Sequence, residues 1–166
     1  MDKFYAELMK LNNQAENSIE NINEGGCGIY GLFLAHYIHK RKPDINTKFR
    51  FLVEVPHTKI LNKYIETNDM TSMVYDVGPA WKHIVVEIDE NTFIDSEGIY
   101  TKDELLTKYE NLYRSKLDLS IPAQYETIDL LTQIDTWNHI FQRIKAIPKL
   151  QKIFQVDFEV CVAPYI

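Results

Sequence analysis

The chain has 166 residues, enough for one domain built around a single core. Apolar residues make up 45% and charged residues 25%, a globular balance that excludes disorder or fibrous structure for the chain as a whole. A net charge of −6 argues against nonspecific nucleic-acid binding, which needs a basic face to displace counterions from phosphates.

The first residues mix charges with apolar side chains and lack the continuous apolar stretch of a signal peptide. The longest apolar run, IYGLFLAHYI, falls well short of the roughly 20 residues that cross a bilayer. The expectation is a cytoplasmic protein that does not engage membrane. In a reducing compartment Cys27 and Cys161 are expected to be thiols.

Residues 2–20 predict an amphipathic helix with Phe4, Leu8 and Leu11 on one face. NINEGG (21–26) reads as a turn. From Cys27 to about His39 the pattern is helical but apolar nearly all round, which places this helix in the core. The basic run HKRK (39–42) and Pro43 end it, since cations favour a helix C-terminus. FRFLVEV (49–55) predicts a strand, SMVYDV (72–77) a weaker one, and HIVVEI (83–88) with TFIDS (92–96) a β-hairpin bent near Asn91. Residues 102–117 read as a helix, with Thr101 as N-cap and Glu104 three positions on. Residues 118–134 show no clear pattern, 135–154 read as helical with a kink or break at Pro148, and 156–166 alternate like a final strand. The expected class is α+β in a single domain over 1–166, with its core at about 20–100 and a helical elaboration at about 101–155.

Three residues carry the chemistry. Cys27 opens a helix after Gly25 and Gly26, where the dipole and the end's backbone donors favour a thiolate. The glycines allow a sharp turn and close approach of substrate, which puts Gly26 in the substrate-binding set, and the Cys27 N–H is a candidate oxyanion donor. His83 and Asp95 fall at adjoining ends of the hairpin, about 4.5–5.5 Å apart at Cβ, or more on a diagonal. A carboxylate there orients the imidazole while the other ring nitrogen faces the thiol. Strand parity sets His83 opposite the apolar stripe of Ile84, Val86 and Ile88, as expected at the edge of a cleft. Trp81 is a candidate wall of that cleft, with plain hairpin packing as the alternative. Singly, each of these residues has a structural explanation; their combination is what points to catalysis.

The run Glu24-Gly25-Gly26-Cys27-Gly28 before an apolar helix, followed by the His-Ile-Val-Val-Glu and Thr-Phe-Ile-Asp-Ser-Glu-Gly strands, resembles the papain-like and transglutaminase-like cysteine-enzyme superfamily, including small members from bacteriophages and bacteria. The resemblance covers roughly residues 20–100. It implies a nucleophile helix packed on a central antiparallel sheet, with extra C-terminal helices in this chain. It also implies Cys27 as nucleophile, His83 as base and Asp95 as orienter. Papain-like enzymes often place an amide upstream of the cysteine to complete the oxyanion hole. Asn21 and Asn23 are the candidates, with Asn23 preferred as the nearer.

No zinc spacing, phosphate-cradling glycine motif or serine nucleophile elbow occurs, so neither a metal nor a cofactor is expected. The leading expectation is a cysteine-dependent peptide or isopeptide hydrolase acting on a protein or peptide through a thioester. The alternatives are amine acyl transfer, or a non-enzymatic binding module on the same scaffold. For the latter, Trp137, Ile140, Phe141, Ile144 and Ile147 offer an apolar stripe to a partner, which core packing explains more simply.

Overall fold

The computed structural model describes residues 2–23, 26–67, 69, 72, 81–120 and 143–165. The class is α+β: six α-helices and a five-stranded antiparallel sheet among the described residues. In chain order these are α1 (Lys3–Ser18), α2 (Cys27–Arg41), β1 (Lys48–Glu54), α3 (Thr58–Thr67), β2 (Trp81–Asp89), β3 (Thr92–Ile94), β4 (Ile99–Tyr100), α4 (Lys102–Tyr113), β5 (Leu117–Ser120), α5 (Arg143–Phe154) and α6 (Phe158–Val162). Short 3-10 turns occupy Val55–His57 and Ala163–Tyr165.

Sheet order is β4-β3-β2-β1-β5. Its two faces are both covered. One carries Phe49, Phe51, Val53, Ile84, Val86, Ile88 and Ile94 and receives α2, with α1, α5 and α6 packed on the far side of that helix. A helix enclosed on every side has no use for a polar stripe, which is why α2 is apolar all round. The other face carries Leu52, Val85 and Phe93 and receives Leu105 and Tyr109 of α4.

The hairpin forms, with Val86 opposite Ile94 and Glu87 opposite Phe93. Asn91 lies in its turn and accepts from the Lys102 N–H at 3.1 Å, which ties the start of α4 to the bend. The capping box at Thr101 and Glu104 forms as well. His39, Lys40 and Arg41 do occupy the last turn of α2.

Several expectations are corrected. The final segment is helix, not strand: Phe158, Cys161, Val162 and Tyr165 pack inward at i, i+3, i+4 and i+7, and Val160 is exposed. The short alternation of apolar residues had read equally well at the wrong period. Of the kink or break expected at Pro148, the break does not occur: helix α5 runs through it, with Ala146, Leu150 and Phe154 anchoring one face in the core. The helix after Thr101 stops at Tyr113, where Arg114 adopts a left-handed conformation (φ 52°), and β5 follows. Helix α3 was not anticipated. The strand expected at 72–77, apart from Ser72, and the part of the apolar stripe at 137–141 lie outside the described residues.

Candidate functional site

The start of α2 meets the sheet where the chain leaves β3. One tie is the Ser96 hydroxyl, which donates to Asn23 Oδ1 at 2.9 Å and joins the α1–α2 turn to the residue after Asp95. Tyr30, one turn along α2, lies near enough for the Asp95 charge to help burial push its phenol up, burial being the larger cause. Tyr30 in turn donates to Asn12 of α1.

Continuing the hairpin register sets Asp95 beside Val85, so His83 is its diagonal neighbour on the same face. Their side chains meet there: His83 Nε2 lies 3.1 Å from Asp95 Oδ2. Exposure is 0% for His83 and 2% for Asp95. His83 is therefore not at an open cleft edge. The polar face of β2 is roofed by α4, and the expectation from parity alone missed that second layer.

Asp95 is fully bonded. Its Oδ1 accepts from the N–H groups of Glu97 and Gly98 at 2.8 and 3.0 Å. Its Oδ2 takes the imidazole and the Tyr109 hydroxyl, the latter at 2.5 Å. Burial raises a carboxyl's pKa, but the His83 hydrogen bond and charge, then the Tyr109 bond and the Lys108 charge, outweigh it and hold Asp95 below its ordinary value.

The remaining ring nitrogen, His83 Nδ1, is buried and makes no well-aligned hydrogen bond. Cys27 is close enough to act on the ring both by charge and as a loose hydrogen-bond partner, and with Nε2 taken by Asp95 and Tyr109 the nitrogen left for it is Nδ1. Burial pulls the imidazole down, yet Cys27 and Asp95 together raise it to about 9. Cys27 is a free thiol, 6% exposed, at the first position of α2, whose N-cap residue Gly26 brings no side chain to that helix end. The structure thus brings Cys27, His83 and Asp95 together through four elements: α2, β2, the exit of β3 and α4.

The other candidates separate. Gly26 is the buried N-cap of α2 at φ −100°, ψ −5°, a conformation open to any residue; what it contributes is its lack of a side chain beside Cys27, not backbone freedom. Asn21 is exposed in a left-handed turn conformation. Asn23 is half-buried, and its Nδ2 is buried without a partner while Oδ1 is held by Ser96. Trp81 opens β2, and its side chain lies outside the described residues. Among the described residues no cluster of His, Cys, Asp or Glu could hold a metal ion, and no helix is long and apolar enough to cross a membrane.

Sequence reasoning missed Tyr109. It stacks on the His83 ring at a centroid distance of 4.6 Å and 29° between planes. The available signal was Leu105 and Tyr109 at i and i+4, an apolar stripe needing a surface to cover.

Compared with known proteins, the chain matches no protein family, and no curated protein or solved structure is significantly similar to it.

Proposed function

We propose that the protein is a cysteine-dependent acyl-transfer enzyme with a papain-like or transglutaminase-like arrangement, acting on a peptide or isopeptide amide. One observation carries this reading: His83 has one ring nitrogen bound to Asp95 and the other buried without a partner, while Cys27 acts on the same ring. A core histidine would be expected to satisfy both nitrogens.

In the reaction the Cys27 sulfur attacks the carbonyl carbon, and the carbonyl π electrons move to oxygen. Asn23 Nδ2 and the Cys27 N–H are the donors for that oxyanion. Collapse breaks the C–N bond as the His83 imidazolium gives its Nδ1 proton to the leaving amine, leaving a thioester on Cys27. Neutral His83 then takes a proton from water, the hydroxide adds to the thioester, and the acid departs with Cys27 restored as thiolate. A second amine in place of water gives amine transfer by the same steps. Asp95 stays ionised throughout and fixes the ring through Nε2.

The test is alkylation by iodoacetamide across pH 5–9, read by mass spectrometry at Cys27 and Cys161. Cys27 is expected to label at pH 6 well above a small-molecule thiol, with burial keeping Cys161 slow, since its thiol is pushed up to about 12. Cys27→Ala should abolish that labelling and all turnover of peptide substrates while the fold stays intact. Cys27 reactivity that merely follows the small thiol would sink the proposal. The burial of Cys27 favours a second reading, a binding module with a dormant triad. Such a module has no use for a reactive thiolate, so the same measurement separates the two.

A further inference from the structure

We infer that Tyr109 is a positioning residue for the imidazole, a fourth member of the site that fixes which nitrogen of His83 faces Cys27. This rests on the acyl-transfer reading above. Three contacts meet at one hydroxyl and one ring. The Tyr109 hydroxyl donates to Asp95 Oδ2 at 2.5 Å, and its oxygen lies 3.0 Å from His83 Nε2. With its own proton on Asp95, that oxygen is free to accept, so the Nε2–H is shared between the carboxylate and the phenol. Both acceptors require the proton on Nε2, which leaves the lone pair of a neutral ring on Nδ1, the nitrogen left for the thiol. The stacked rings supply the other constraint, since rotation of the imidazole about its Cβ–Cγ bond would drive it into the phenol.

Tyr109 is itself well held. Burial, followed by the Asp95 charge and hydrogen bond, pushes its ionisation far above the ordinary phenol range, so it stays a neutral donor at every working pH. Tyr113 stacks against its ring at 6.1 Å and the Lys108 ammonium lies 5.0 Å from the ring centre. Lys108 also donates to Tyr100 at 2.6 Å and pairs with Glu97, tying α4 to the turn that presents Asp95. A tyrosine that only filled space beneath the sheet would need none of the polar contacts.

The experiment compares the wild type with Tyr109→Phe, which keeps the ring and deletes the hydroxyl. Iodoacetamide labelling of Cys27 is followed from pH 5 to 10, and circular dichroism checks the fold. At pH 6 the variant is expected to label more slowly by about tenfold or more, a part of the roughly hundredfold or larger effect of a positioned acid or base. At the alkaline end of the range, where base in solution can replace the imidazole, the two rates should converge. A purely structural defect would lower both ends alike. In the wild type, long-range 1H–15N spectra should show neutral His83 protonated at Nε2, with a cross-peak between that proton and a slowly exchanging Tyr109 hydroxyl. That spectrum decides the matter even if the variant does not fold. A wild-type protein reactive at pH 6 whose Tyr109→Phe variant follows the same profile within twofold overturns the role of Tyr109 alone. So does a Tyr109 hydroxyl exchanging at the solvent rate. A wild-type protein unreactive at pH 6 overturns the acyl-transfer reading and this inference with it.

Discussion

A carboxylate and an imidazole sealed under a helix are costly unless every lone pair and proton is used. Asp95 meets that condition with four donors, two on each oxygen. His83 does not, because its Nδ1 is buried without a hydrogen-bond partner. The imidazole is therefore the group whose behaviour reports on the thiol. Burial acts against its charged form, and the Cys27 charge is the largest influence in the other direction, ahead of the Asp95 hydrogen bond. Substituting Cys27 by Ala removes that influence and leaves burial opposed by Asp95 alone. The His83 imidazole, pushed up to about 9 in the intact protein, is expected to titrate clearly lower in the variant. The midpoint is read from its 15N shifts. An unchanged midpoint would mean that thiol and ring do not interact.

Among the elements, α4 shows how local signals place a side chain that no local signal identifies. Its start was legible from Thr101 and Glu104, because a capping box is written in four consecutive residues. The hairpin was legible for a similar reason, since period-2 runs around a short polar turn leave few alternatives. Tyr109 was not legible. It is 26 residues from His83, and its hydroxyl finds Asp95 and His83 only after α4 has docked across β2. The terminal strand failed for a related reason: five residues hold too few periods to separate a strand from one turn of helix. The roof over His83 was hidden because parity tells which face a side chain takes but not what lies above it. Thr101→Ala tests this link between a cap and a distant site. Losing the cap should cost about 1 kcal/mol in urea unfolding. The Lys102 bond to Asn91 and the Leu105 contact persist, so α4 should stay docked and Cys27 labelling at pH 6 should change by less than about twofold. A large loss of labelling would show that α4 is held by its cap rather than by its packing.

Across the whole molecule, α2 is the member on which both the core and the site depend. Its outer side packs on Phe154, which meets Tyr30 and Phe33 at ring distances of 5.8 and 5.7 Å. Its inner side lies so close to the sheet that any side chain at Gly31 would press on its neighbours. A Cβ there would stand 3.0 Å from Phe49 Cε1 and 3.3 Å from Val86 Cγ2. These two contacts separate stability from geometry. Phe154→Ala opens a cavity behind the helix and should cost about 3–5 kcal/mol. It leaves the approach of α2 to β2 as it was, so folded protein should label at Cys27 with the wild-type pH profile. Gly31→Leu overfills the inner side and should cost about 1–3 kcal/mol. Phe49 is fully buried on β1 with the Tyr165 ring against it and has little freedom to yield, so relief comes from moving α2 off the sheet. That movement withdraws Cys27 from His83, and labelling at pH 6 should fall even in fully folded protein. The less destabilised variant is thus the one expected to lose reactivity. If loss of labelling instead tracks loss of stability across the pair, the thiol's environment is set by the integrity of the core as a whole and not by how closely one helix rests on two strands.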